Sequence, residues 1–170
     1  MITKGNIEIR DAILDDLPVI VEIYNSTIPG GMVTADTEPV TIKSRETWFQ
    51  EHTPAFRPLW IMEYESKIVG WLSFQSFYGR PAYNSTAEIS IYIDRNYRRE
   101  GMGTRFLEKA IDQCPTLKIK TLLGFIFGHN EPSLKLFRKH GFRRWGYFPK
   151  VATVSGIERD LIILGKRICR

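Results

Sequence analysis

The sequence predicts an α/β fold with a mixed sheet. A strand–helix–strand–helix order runs through the middle of the 170-residue chain, and hairpin-forming strands flank it on both sides. Apolar residues recur with a period of two in some segments and about 3.6 in others, which separates strands from helices.

Taken in order, Ile7 and Ile9 alternate with Glu8 and Arg10, predicting a first strand. Asp15 or Asp16 then caps a helix carrying Leu17, Ile20, Val21 and Tyr24, with Pro18 tolerated in its first turn. Pro29, Gly30, Gly31 and Pro39 punctuate residues 26–41, a long loop of the kind that is usually functional in a compact domain. A second helix follows over about residues 42–51, with Trp48 and Phe49 turned inward. Residues 59–65 and 68–77 read as a hairpin around Ser66-Lys67, its second arm rich in β-formers. A loop over 78–84 leads into a strand in which Ile89, Ile91 and Ile93 alternate with Ser90, Tyr92 and Asp94. Gly101 and Gly103 open a helix whose Met102, Phe106, Ala110, Ile111 and Cys114 share one face. Residues 121–127 make a buried strand, and Asn130 with Pro132 opens a helix that Gly141 ends. Residues 146–154 and 159–165 close the chain as two strands around Ser155-Gly156. With no repeat, low-complexity stretch or linker, residues 1–170 read as one domain.

A hydrophobic content of 43% and a charged content of 25% describe a soluble globular chain able to bury a full core. No apolar run approaches the roughly 20 residues that span a bilayer. The opening MITKGNIEIR has no signal-peptide apolar region, so the cytoplasm is expected. Cys114 and Cys169 form no disulfide framework and read as plain thiols. His52, His129 and His140 have no metal-ligand spacing, so no metal is expected. The net charge is +5, but the 24 basic residues are dispersed, which argues against a nucleic-acid partner. A local excess at Arg95, Arg98, Arg99 and Arg105 suits one small polyanion.

That excess sits in residues 87–107, AEISIYIDRNYRREGMGTRFL, where a strand passes through a glycine loop into a helix. The first N–H groups of such a helix lack intrahelical partners, and glycines let a phosphate approach them. The stretch lacks the Gly-Lys-Ser/Thr of a nucleotide P-loop and the third glycine of a dinucleotide fingerprint. Its pattern Arg98-x-x-Gly101-x-Gly103 resembles the pyrophosphate-binding motif of the GCN5-related N-acetyltransferases.

The resemblance covers nearly the whole chain and is strongest to the phosphinothricin N-acetyltransferase group. It is carried by Ile23-Tyr24-Asn25, by residues 34–39 (TADTEP), by Arg45 with Trp48-Phe49, and by Arg80-Pro-Ala-Tyr83 before Thr86-Ala-Glu88. Asn130-x-x-Ser133-Leu134, Gly141-Phe142 and the closing Pro149, Val151-Ala152, Gly156 and Arg159-Asp160-Leu161 extend it. It implies a single-domain acyl-CoA N-acyltransferase fold, a mixed, mostly antiparallel sheet flanked by helices. The implied co-substrate is acetyl-CoA, held by Arg98, Arg99, Glu100, Gly101, Met102, Gly103 and Thr104, with Asn130 and Ser133 nearby. The backbone of Ile91, Tyr92 and Ile93 would carry the pantetheine arm and the thioester oxygen. The implied reaction is acetyl transfer to the amine of a small molecule, an amino acid or glutamate analogue such as phosphinothricin or methionine sulfoximine. A protein-amine acetyltransferase and a non-catalytic acetyl-CoA sensor are the alternatives.

Amide formation from a thioester needs an uncharged amine, a stabilised oxyanion and a leaving thiol. Glu88 is the candidate base, in a place where desolvation would raise its pKa; its other reading is a carboxylate paired with Arg80. Asn130 and Ser133 read equally as helix-capping residues. Arg80 and Tyr83 are candidate substrate residues, a guanidinium suited to a carboxylate or phosphinate, or else a solvated loop arginine and an aromatic cover. Thr34, Asp36 and Thr37 are candidate lining of the same pocket, though Asp36 could merely close an Asx turn. Phe137 stands where many family members have a tyrosine acid and reads as core packing. Trp145, Tyr147 and Phe148 suit either core packing or the interface of a homodimer, the assembly common among relatives.

Overall fold

The computed structural model describes residues 5–168, so Cys169 lies outside the described residues. Strand residues alternate between two apolar layers, and that alternation holds the sheet between two pairs of helices. In chain order the elements are β1 (Ile7–Asp11), α1 (Leu17–Thr27), α2 (Ile42–Gln50), β2 (Leu59–Tyr64), β3 (Lys67–Ser76), β4 (Thr86–Ile93), α3 (Met102–Gln113), β5 (Thr121–Phe127), α4 (Glu131–Lys139), β6 (Arg143–Val154) and β7 (Ile157–Arg167). The strands form one sheet in the order β1-β2-β3-β4-β5-β7-β6. Every pairing is antiparallel except β4 with β5. The α/β fold with a mixed, mostly antiparallel sheet is as the sequence predicts.

One face packs Trp60, Met62, Leu72, Phe74 and Ile89 beneath Phe106, Leu107 and Ala110 of α3 and Leu134 and Phe137 of α4. The other packs Leu59, Ile61 and Trp71 beneath Ile20, Ile23 and Tyr24 of α1, with Trp48 and Phe49 of α2 half-buried at its margin. Burying one such side chain stabilises the fold by about 1.5–3 kcal/mol, so the two layers fix the strand register between them.

Two local expectations change. Asp16 precedes α1, but its side chain does not cap that helix. It accepts the Ile13 N–H at 2.8 Å across a short 3-10 turn and pairs with Arg10 at 2.8 Å, because the turn brings the β1 arginine within reach. The closing strands are longer than their apolar residues suggest: β6 begins at Arg143 and β7 runs on to Arg167. β6 is an edge strand exposed along most of its length, so its polar ends pair with β7 without any apolar signal.

Candidate active site

A cavity of about 240 Å³ opens between the sheet and the helices α1 and α2. Its floor is a grid of three cross-strand pairs from β3 and β4: Trp71 opposite Tyr92, Ser73 opposite Ser90, and Gln75 opposite Glu88. The period-two alternation that sends Ile89 into the opposite layer sends Glu88, Ser90 and Tyr92 here. Trp71 and Tyr92 stack with ring centroids 4.4 Å apart. The walls are Ile20, Val21 and Tyr24 of α1, Asp36 and Val40 of the loop, and Arg45 and Trp48 of α2.

Glu88 is half-buried and, among the described residues, has neither a hydrogen bond nor an ion pair; the pairing with Arg80 does not form. Burial alone pushes its carboxyl up from 4.5 to about 7. No charged neighbour contributes to that shift. Burial, and then the fields of Tyr24 and Glu88, hold Tyr92 above its ordinary value against a hydrogen bond from Thr34 and the charge of Arg45. Tyr24 is raised by burial and by donating to Asp36. Both phenols therefore stay protonated at neutral pH, where the Glu88 carboxyl gains and loses its proton.

Arg45 of α2 lines the same cavity as Glu88. It donates to Asp36 Oδ2 at 3.1 Å and lies over the Tyr24 ring, 4.9 Å from its centroid. The loop carrying Asp36 is fastened at both ends. Asn25 brackets Val40 with two bonds of 2.9 Å, while His129 Nε2 and Asn130 Nδ2 reach the carbonyls of Gly31 and Met32 at 3.1 and 3.4 Å.

The edge of β4 toward β5 is open over part of its length. β4 pairs with β5 only from Thr86 to Glu88, after which the two strands part. The Asp94 N–H bonds to the Val69 carbonyl of β3 at 2.8 Å, so Tyr92 also turns its backbone to β3, whereas Ile91 and Ile93 turn theirs into the gap. Of the three residues expected along the pantetheine, Tyr92 thus contributes a side chain to the cavity rather than an amide to the gap. Arg98 Nε donates to the Ile93 carbonyl at 3.3 Å, which places that arginine at the mouth of the gap.

At α3 the first intrahelical bond runs from the Arg105 N–H to the Gly101 carbonyl, 3.2 Å, so the amides of Met102, Gly103 and Thr104 have no partner within the helix. Gly101 has φ +80° with open space around it, while a Cβ on Gly103 would meet Leu136 of α4 at 3.0 Å. The first glycine therefore serves the turn and the second the approach of two helices. Arg98, Arg99 and Arg105 are exposed around this terminus, and Glu100 is half-buried beside them.

Other expected site residues lie apart from the cavity. Arg80 and Tyr83 flank a short turn before β4 and do not line it; Tyr83 packs with Phe77 and Tyr78 in an exposed aromatic cluster. Thr34 is buried behind Tyr24, its hydroxyl 2.6 Å from the phenol. The Asn130 side chain is committed to the protein, accepting the Ser133 N–H at 3.3 Å and holding Met32, so Asn130 adopts the capping role and Ser133 takes part through its backbone. Phe137 is buried against Phe142, ring centroids 4.9 Å apart. Sequence reading missed Ser73, Gln75 and Ser90 as lining. The signal was Trp71-x-Ser73-x-Gln75, polar residues on alternate positions of a strand otherwise apolar enough to be buried on both faces. Among the described residues no three His, Cys, Asp or Glu side chains gather as metal ligands, and no helix is long and apolar enough to cross a membrane.

An open strand edge leading from a helix N-terminus to a buried carboxyl is the layout of an acyl-CoA-dependent transferase, and the model of the acetyltransferase (GNAT) family matches residues 19–142. The chain belongs to that family. A Bacillus subtilis (strain 168) protein provisionally named phosphinothricin acetyltransferase YwnH is 54% identical over 154 residues, 90% of this chain and 94% of that one. The L-methionine sulfoximine/L-methionine sulfone acetyltransferase of Pseudomonas paraeruginosa is 26% identical over 157 residues, 92% of this chain and 91% of its own. Among solved structures, the GNAT phosphinothricin acetyltransferase from Sinorhizobium meliloti in complex with AcCoA superposes with a TM-score of 0.89 at 25% identity, covering 95% of this chain and 88% of that one.

Proposed function

We propose that this chain transfers acetyl from acetyl-CoA to the primary amine of an amino acid or glutamate analogue of the phosphinothricin or methionine sulfoximine kind, with Glu88 as general base, the whole chain acting as one catalytic domain. The observation that carries this is the Glu88 carboxyl, unpartnered among the described residues and raised to about 7, in a cavity it lines at the point where β4 leaves β5. Ionised Glu88 accepts a proton from the substrate ammonium, directly or through one water, and the neutral nitrogen attacks the thioester carbonyl. The N–H groups of Ile91 and Ile93 face the gap where the resulting oxyanion is stabilised. As the N–C bond forms and the C–S bond breaks, coenzyme A leaves as thiolate and takes a proton from water, since Phe137 has none to give.

Arg98, Arg99, Arg105 and the amides of residues 102–104 supply the charge and donors for the pyrophosphate. A cavity of about 240 Å³ is smaller than the roughly 300–1,000 Å³ of sites for drug-sized ligands, which supports a small amine over a protein substrate. Trp145, Tyr147, Phe148 and Val151, all about half exposed on the edge strand, supply the contact surface for a homodimer.

Thiol release from acetyl-CoA, measured with a panel of amino acids, tests the reading. Release that depends on the amine supports it. Calorimetric binding of acetyl-CoA with no release by any amine would instead leave a sensor, and no binding at all would remove the cofactor site.

A further inference from the structure

We infer that Arg45, with Asp36 as its exchangeable counter-ion, reads a second oxyanion on the substrate and so sets which amines are acetylated. The inference rests on the proposed amine site and assigns its far wall.

Arg45, Glu88 and Tyr92 line one cavity, and both charges lie close enough to the Tyr92 phenol to act on it. A guanidinium carries five N–H donors in a planar fork. Among the described residues Arg45 donates a single bond, to Asp36 Oδ2 at 3.1 Å, so its remaining donors are available to the cavity it lines. Two aromatic faces help hold its direction, with the guanidinium 4.9 Å from the Tyr24 centroid and 5.7 Å from that of Trp48. The side chain is 26% exposed, enough shielding to strengthen a charged contact.

Asp36 neutralises Arg45 yet is not locked to it. Its side chain is 46% exposed at the mouth, and the Tyr24 hydroxyl also donates to it. An incoming oxyanion can take the arginine while Asp36 keeps the tyrosine and solvent. The polar floor of Ser73, Ser90 and Gln75 spans the distance between base and guanidinium. The matching ligand is an amine with a carboxylate, phosphinate or similar oxyanion several bonds from the reacting nitrogen. Arg80, which the sequence offers for this task, does not line the cavity.

Steady-state kinetics with phosphinothricin, anionic at phosphorus, and L-methionine, uncharged in its side chain, decide the matter through the ratio of their KM values. Arg45→Gln should raise the phosphinothricin-to-methionine ratio roughly 10-fold or more, the scale of a lost charge-assisted hydrogen bond. Arg45→Lys should restore part of it, since a point charge lacks the fork. Asp36→Asn should move the ratio the opposite way, roughly several-fold, because the competitor for the guanidinium is gone; this variant decides even if Arg45→Gln fails to fold. An unchanged ratio in Arg45→Gln, a ratio that instead responds to Arg80→Ala, or an Asp36→Asn that raises both KM values alike would overturn the inference. Wild-type protein that acetylates neither amine would take down the proposed function with it, whereas a wild type active on both with an unresponsive ratio fails this inference alone.

Discussion

The edge and the face of β4 do different work with the same eight residues. Along its edge the strand parts from β5 after Glu88 and offers backbone amides, which any residue of strand habit would supply. On its face toward α1 and α2 it offers Glu88, Ser90 and Tyr92, and only those side chains make that surface. On the proposed reading the carrier side is thus specified by where the chain goes and the amine side by what it carries. Side-chain substitutions should therefore read out the amine side strongly and leave the edge nearly silent.

Glu88→Gln is the sharpest way to break this contrast and has the largest expected effect. Loss of a general base typically costs 10²–10⁴-fold in rate, and here the loss should fall on kcat with acetyl-CoA affinity kept. In the wild type the rate should rise with pH through about 7 and then level, as the carboxyl ionises. The same group acts on stability with a definite sign. Its pKa is raised on folding, so the folded state holds the proton more tightly, and that stabilisation is complete below about 4.5 and lost as pH rises through 7. A rise from 4.5 to about 7, at about 1.4 kcal/mol per unit, makes the ionised form cost up to roughly 3 kcal/mol at pH 8. Glu88→Gln should then melt higher than wild type at pH 8, with the difference shrinking toward pH 5. Full activity across pH 6 to 8 in this variant would end the base assignment.

The same contrast explains what could be read in the sequence. Strand, glycine loop and helix are contiguous from 87 to 107, so alternation and punctuation in one stretch mark the proposed carrier side. The amine cavity draws on α1, the loop, α2, β3 and β4, brought together only by the register that sets Ser73 against Ser90 and Gln75 against Glu88. No local pattern encodes that register. Arg45 and Arg80 are equally good guanidiniums in the sequence, and only the packing of α2 on Tyr24 and Trp71 decides which one lines the cavity. The strand ends near β6 escaped for the complementary reason, since an exposed edge needs no apolar period.

The two glycines of the loop sharpen the carrier side at a smaller scale. Gly101→Ala forces a left-handed residue with a Cβ and should cost about 1–2 kcal/mol, although nothing obstructs the new atom. Gly103→Ala keeps helical geometry, gains up to about 1 kcal/mol of helix propensity, and meets only the mobile end of Leu136. Thermal unfolding should separate them: a clear fall for the first and a change within about 0.5 kcal/mol for the second, the gain and the contact offsetting each other. Calorimetry with acetyl-CoA adds the other half. Gly103→Ala should weaken binding without weakening the fold, because its methyl group stands at an amide open to phosphate. Unchanged affinity in both variants would move the pyrophosphate away from the start of α3.

Phe137 lies where the two sides meet, and Phe137→Tyr carries the smallest expected effect. Its ring covers Gly124 of β5 and touches Phe142, and the side chain is 5% exposed. A hydroxyl added there enters packed surroundings and should cost about 1 kcal/mol unless it finds an acceptor. The rate should change less than threefold. A thiol of pKa about 8.5 departs as thiolate at a penalty near 2 kcal/mol at pH 7, which water at the open strand edge can relieve by supplying the proton. A tenfold gain in kcat would mean that protonation of the thiolate limits turnover and that the ring edge looks into the gap rather than the core. Loss of stability without gain in rate would place Phe137 with the α3–α4 layer, leaving the departure of coenzyme A to solvent and its aim to the backbone of β4.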